Sequence, residues 1–310
     1  SKGKWMKTIQ KAISYTLPFI PKPIVGFFAK TYIAGEEIED AVRVVKELMA
    51  KGACATIDVL GEEVKEKHHS LRVAEMYKKV VHTIDAEKLD STVSIKLTHM
   101  GLKIDKEFCY ENVRDLLVEA KKYNNLITID MEDHTCTTDT IELYKRLRKD
   151  FDNVGTVLQT YMRRTINDIN DLLPYKPHLR ICKGIYNETR EIAYKDDYII
   201  NQNFTYAIEK LISNGGYTGI ATHDERLVWE AFKLIDKYNL EKKHYEFQML
   251  LGVDTQLRRI ILKQGHKLRV YVPFGKEWFA YSTRRLKENP NIAGHIIKGV
   301  IKRSLAKNSS

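Results

Sequence analysis

From residue 53 onward the chain alternates between two patterns. Short runs rich in Val, Ile, Leu and Thr recur, each followed by a longer stretch whose apolar residues fall three and four apart. Runs of the first kind suit strands buried on both faces, and stretches of the second kind suit helices that cover them, so the alternation predicts parallel strands joined by crossover helices. Eight strands are expected: ACATIDVL (53–60), VSIKL (93–97), ITIDME (127–132), VGTVLQT (154–160), LRICKG (179–184), TGIATH (218–223), FQMLLG (247–252) and LRVYVPFG (268–275). Helices between them are marked by spacings such as Leu227, Val228, Ala231, Phe232 and Ile235, and by a D-x-x-E pair at Asp139 and Glu142 that reads as a helix start. The first unit is the least regular, because 62–69 is charged and looplike. Eight βα units predict an α/β fold of the closed (βα)8, TIM-type kind.

No low-complexity linker or internal repeat interrupts the alternation. We therefore divide the chain into an N-terminal helical arm, residues 1–35, and a barrel with a C-terminal helix, residues 36–310. In that last helix Tyr281, Arg284, Arg285 and Glu288 stand at i, i+3, i+4 and i+7, on one face. Paired guanidiniums can grip a planar carboxylate, and a phenol one turn earlier can close over what they hold. The plainer alternative is a set of cations satisfying the helix dipole on a solvated face before Asn289-Pro290.

In such barrels chemistry collects at the carboxyl ends of the strands, so polar residues that end an apolar run are informative. Here these are Lys96, Asp130 with Glu132, Gln159, Arg180 with Lys183, Thr222 with His223, and Tyr271. Period-two alternation places Asp130 and Glu132 on one face, away from Met131. Asp130, Glu132, Asp133 and His134 resemble hard-metal ligands, but strand-end acids more commonly cap a helix or pair with a lysine, and no metal is expected. Singly, Lys96 and His223 have plain structural explanations. Arg180 does not, because a guanidinium inside a barrel needs an anion. The combined set implies an anionic, phosphate-bearing ligand beside a second small charged molecule.

Composition narrows the partners. A net charge of +10 suits anionic ligands, membrane surfaces or nucleic acid, but the charge is spread without basic blocks, so no nucleic-acid partner is expected. Cys54, Cys109, Cys136 and Cys182 lack metal-finger spacing and read as core thiols of a cytoplasmic protein. No apolar span is long enough to cross a bilayer. The arm mixes Trp5, Phe19, Phe27 and Phe28 with lysines, which suits either packing on the barrel or peripheral contact with the inner face of an anionic membrane. No G-x-G-x-x-G or Walker pattern occurs, so any nucleotide is held without those fingerprints.

The motifs SIKLT (94–98), IDMED (129–133), LQTY (158–161), RICKGIY (180–186), ATHD (221–224), FQMLLG (247–252), RVYVPFG (269–275) and YSTRRLKEN (281–289) occur in an order that resembles the monofunctional proline dehydrogenases. Those are FAD-dependent barrel enzymes that oxidise L-proline. The resemblance implies a distorted barrel whose final helix reaches the active site. It implies that Arg284, Arg285 and Lys96 hold the proline carboxylate, that Asp130, Leu250, Tyr271 and Tyr281 wall the ring, and that Glu288 supports the arginines. FAD would be held by the Met131 backbone, Gln159, Arg180, Lys183, Gly184, Ile185, Thr222 and His223, with Asp130 and Arg180 as catalytic groups. Proline would yield Δ1-pyrroline-5-carboxylate, electrons would pass to a quinone, and a separate pyrroline-carboxylate dehydrogenase would take the product. Two departures fall near the cofactor: Asn187 stands where bifunctional relatives have tryptophan, and Asp224 where many have asparagine. The alternative from the residues alone is an aldolase-type barrel lyase with Lys96 as Schiff-base nucleophile.

Overall fold

A computed structural model describes residues 22–61 and 63–288, apart from the side chains of Ile24, Phe27, Phe28, Arg284, Leu286, Lys287 and Glu288. Its elements run α1 (Lys22–Tyr32), α2 (Ile38–Met49), β1 (Cys54–Val59), α3 (Lys67–Ala86), β2 (Ser91–Ile95), α4 (Lys106–Lys122), β3 (Ile127–Ile129), α5 (His134–Asp150), β4 (Val154–Gln159) and α6 (Thr165–Leu172). They continue with β5 (His178–Cys182), α7 (Asp197–Ser213), β6 (Tyr217–Ala221), α8 (Glu225–Lys237), β7 (Tyr245–Leu250), α9 (Thr255–Lys263), β8 (Leu268–Phe274) and α10 (Trp278–Glu288). The eight strands are parallel and close in chain order, β1 pairing with β8 from Cys54 against Arg269 to Val59 against Phe274.

Alternation within the strands builds two layers. Ile57, Ile95, Ile129, Ile181, Ile220, Phe247 and Val270 join the helix faces in one continuous apolar cluster. Many of the intervening positions are polar and meet between neighbouring strands at the lumen: Thr56 Oγ1 lies 3.2 Å from Ser94 Oγ, and Arg269 Nη1 donates to Ala55 O at 2.6 Å. A lumen lined this way cannot be closed by hydrophobic packing, so its polar groups must satisfy one another or a ligand.

Three expectations need correction. Helix α5 begins five residues before Asp139, because Asp133 accepts from Thr135 N at 2.9 Å and caps it there; Asp139 and Glu142 lie inside the helix. Strand β3 stops at Ile129, so period-two alternation does not reach Glu132. Asp130 and Met131 both line the cavity described below, while Glu132 turns to the loop after β2 and accepts from Thr98 N at 3.1 Å. In the irregular 62–69 segment, α3 already begins at Lys67, and Glu62 lies outside the described residues.

Of the expected arm, residues 1–21 also lie outside them. Helix α1 packs on α10, where Ala29, Tyr32 and Ile33 cluster with Tyr281 against Leu60, Val253 and Trp278. Close approach is required here: a Cβ on Gly252, at φ +75°, would fall 2.1 Å from Thr31 O. Among the described residues no helix is long and apolar enough to cross a membrane.

Candidate active site

A cavity of about 610 Å³ opens at the carboxyl ends of the strands. Charged groups converge on its floor. Lys96, just past β2, donates through Nζ to Asp58 Oδ1 of β1 at 2.8 Å and sits 3.6 Å from Asp130 Oδ2, just past β3. Tyr271 of β8 donates to Asp130 Oδ2 at 2.7 Å. Arg180 of β5 is triply anchored: Nη1 to Asp130 Oδ1 at 2.6 Å, Nη2 to Ser94 Oγ at 2.9 Å, and Nε to Gln248 Oε1 of β7 at 2.6 Å.

Electrostatics follow from these contacts. Burial pushes the Asp130 carboxyl up, but Arg180, Lys96 and the bonds from Tyr271 and Arg180 outweigh it and hold the group below its usual range. Burial likewise opposes the charge on Lys96, yet Asp58 and Asp130 raise its ammonium above the ordinary value. An amine nucleophile must be neutral, so this environment opposes the Schiff-base alternative. Asp58 itself is pushed up by burial, which outweighs Lys96.

The opposite wall carries the groups expected to hold a cofactor. Gln159 commits its amide nitrogen to Glu132 O at 3.0 Å, so it offers its carbonyl oxygen. Gly184 has φ +115°, and a Cβ there would lie 2.2 Å from the Tyr161 ring, so only glycine lets the backbone run along this wall. Lys183 reaches Asp224 at 2.9 Å, and Asp224 also caps α8 by accepting from Arg226 N at 3.1 Å. Its departure from asparagine thus supplies a carboxylate to a lysine at the cavity wall. Asn187 is exposed on the rim. His223 Nε2 accepts from Leu250 N at 2.9 Å, and burial, assisted by Arg285, pushes the ring down to about 4, so it is a neutral acceptor.

Lys96, Asp130, Met131, Gln159, Arg180, Lys183, Gly184, Ile185, Thr222, His223, Leu250, Tyr271, Tyr281 and Arg285 therefore line one cavity, though they come from across the chain. Arg284 and Glu288 lie on α10, with their side chains outside the described residues. Of the residues that resemble hard-metal ligands, Asp133 caps α5 and His134 Nδ1 faces Glu188 at 2.5 Å. Sequence inspection missed Asp58, which is 1% exposed, and Gln248. A signal for Asp58 existed, since an acid inside the apolar run ACATIDVL needs a buried cation. Tyr186, also on the cavity wall, was quoted in a motif without a role.

Together these features define a class: a parallel eight-stranded barrel with a charge-paired lumen and a buried arginine on the helix beside its mouth, the layout of an enzyme acting on a small charged molecule. Comparison with known proteins gives the particular family. The proline dehydrogenase family model matches residues 41–297. Proline dehydrogenase 1 of Bacillus subtilis (strain 168) is 37% identical over 275 residues, 89% of this chain and 91% of that protein. Proline dehydrogenase of Deinococcus radiodurans is 34% identical over 279 residues, covering 88% and 90%. Among solved structures, proline utilization A from Bdellovibrio bacteriovorus, inactivated by N-propargylglycine, superposes with a TM-score of 0.81 at 24% identity, covering 85% of this chain and 32% of that one; that likeness is one of fold. The chain belongs to the proline dehydrogenase family.

Proposed function

We propose that the protein oxidises L-proline to Δ1-pyrroline-5-carboxylate with FAD as cofactor, and that a quinone takes the electrons. The observation that carries this assignment is the meeting, in one cavity of a chain of this family, of the Lys96–Asp130–Arg180–Tyr271 floor and Arg285 of α10. The residues fit a flavin nucleotide. Lys183 supplies a cation, Gln159 a carbonyl oxygen, and Gly184 a stretch of wall that no side chain obstructs. Met131, Ile185, Thr222 and His223 complete that side, and FAD, when bound, supplies the hydride acceptor.

The chain's own contribution is position and charge. Arg285 and Lys96 grip the proline carboxylate, while the parts expected of Arg284 and Glu288 fall on side chains outside the described residues. Tyr271, Tyr281 and Leu250 confine the ring, so the carbon next to nitrogen has one approach. Holding reactants in attack geometry lowers a barrier by roughly 7–11 kcal/mol. Asp130, pinned by donors from Arg180 and Tyr271 beside the Lys96 ammonium and held below its usual range, serves as a fixed anion and not as a base, so the amine's proton leaves to water. Arg180 holds Asp130 and would supply the positive charge that a bound flavin needs on reduction. The product passes to a separate pyrroline-carboxylate dehydrogenase. The protein works in the cytoplasm, with peripheral membrane contact at the quinone.

The test is the visible spectrum of freshly purified protein. Oxidised-flavin absorbance that bleaches on anaerobic addition of L-proline is expected. A colourless protein that neither binds added FAD nor consumes proline would overturn the assignment.

A further inference from the structure

Beneath the site runs a column of polar groups with no place in the mechanism above. At the closed end of the barrel, Arg269 of β8 grips Glu246 of β7 through Nε and Nη2, at 2.6 and 3.0 Å. Glu246 also accepts from Gln248 Nε2 at 2.7 Å, and Gln248 Oε1 accepts from Arg180 Nε at 2.6 Å. We propose that Gln248 is the positioning residue for Arg180, its amide locked in one orientation by the Glu246–Arg269 pair beneath it.

The two ends of a side-chain amide differ little in shape, so its orientation is decided by what each end meets. Here the choice is forced by charge. Arg180 has only donors, so it must meet the amide oxygen. Glu246, kept ionised by Arg269, has only acceptors, so it must meet the amide nitrogen. A flipped amide would set donor against donor and acceptor against acceptor at once. The barrel makes room for this arrangement at a glycine. Gly219 of β6 stands in register with Arg180, and a Cβ there would fall 2.7 Å from Gln248 Nε2 and 3.3 Å from Arg180 Cα. With Nε held by Gln248 and Nη2 by Ser94, the guanidinium plane is set before Nη1 meets Asp130. Without Gln248 the guanidinium would keep Nη1 on Asp130 and Nη2 on Ser94 and could still turn about the line joining those two contacts.

The proposal rests on the proline assignment only for its kinetic arm; the other arm reads the protein as isolated. In protein labelled with 15N-arginine, the Arg180 Nε–Hε resonance, assigned by its loss in Arg180→Lys, should be distinct and protected from solvent exchange. In Gln248→Met that resonance should move toward the solvent-exposed envelope. The variant's kcat/KM for proline should fall about tenfold, the scale of one charge-assisted hydrogen bond. In the Arg180→Lys background the same substitution should cost less than about twofold more, because residues acting through one another are not additive. Gly219→Ala, which crowds the amide and removes no polar group, should shift the resonance in the same direction and serves if Gln248→Met does not fold. An unmoved resonance, or an equal loss in both backgrounds, would overturn the proposal and reduce Gln248 to a filler of the barrel floor. Wild-type protein without proline turnover would count against the function, and the resonance comparison would still decide the role of Gln248.

Discussion

Replacing Tyr271 by phenylalanine isolates one contact of the cavity floor. The ring and its packing stay, and the hydroxyl that donates to Asp130 Oδ2 at 2.7 Å and lies 3.4 Å from Lys96 Nζ is lost. Asp130 is then left with Arg180 and Lys96 as partners, in a site where its side chain is 12% exposed. A hydrogen bond to a buried charged group contributes about 1.5–3 kcal/mol. Unfolding entropy near 2.1 cal/mol/K per residue implies that a loss of about 2 kcal/mol lowers the melting temperature of a chain this long by about 3 °C. The same bond helps hold the Asp130 carboxyl low, so its loss should loosen the floor and lower kcat/KM for proline by about tenfold, or ~1.4 kcal/mol. Calorimetry measures the first effect and steady-state kinetics the second. A cycle with Asp130→Asn separates the bond from general strain, with a coupling energy of about 1–2 kcal/mol expected. If Tyr271→Phe melts within about half a degree of wild type, retains kcat/KM within about twofold and shows no coupling to Asp130, the floor is not a cooperative unit and the reasoning fails.

Arg285→Lys keeps the charge and loses the planar fork, so the apparent KM for proline should rise by about tenfold or more with flavin content unchanged; a wild-type KM would remove Arg285 from the carboxylate clamp. Gly184→Ala must displace either the Tyr161 ring or the wall beside it, so the purified variant should retain less flavin; stoichiometric flavin by absorbance would count against that wall as a cofactor contact. Burial pushes His99, His178 and His223 each down to about 4 from an ordinary 6.5. The unfolded chain therefore takes up protons first, and stability is complete above about pH 6.5 and lost as pH falls toward 4. Each histidine should contribute about 2 kcal/mol to the loss between pH 7 and 5, so His223→Gln should flatten the pH dependence of urea stability; an unchanged slope would show that His223 is not buried neutral.

The eightfold alternation was legible because strands covered on both faces must be apolar, and helices that cover them must be apolar on one side. Lys96 was legible because an apolar run that ends in a charge is a local anomaly, and Arg180 and Tyr271 because a charge or a phenol interrupts the run of its strand. The misplaced start of α5 and the misjudged facing of Glu132 share a cause: both depend on where β3 stops, and strand length is set by neighbouring strands, not by the run itself.

What the sequence determined by itself was the order of elements, the closed barrel and the residue types at its mouth, since each depends on neighbours a few positions apart. Only the tertiary structure decided who pairs with whom. Asp58 meets Lys96 across 38 positions, Arg180 meets Gln248 across 68, and Tyr271 meets Asp130 across 141. These contacts exist because barrel closure turns alternate strand positions inward to one lumen, where distance along the chain has no bearing and every buried charge must find its partner.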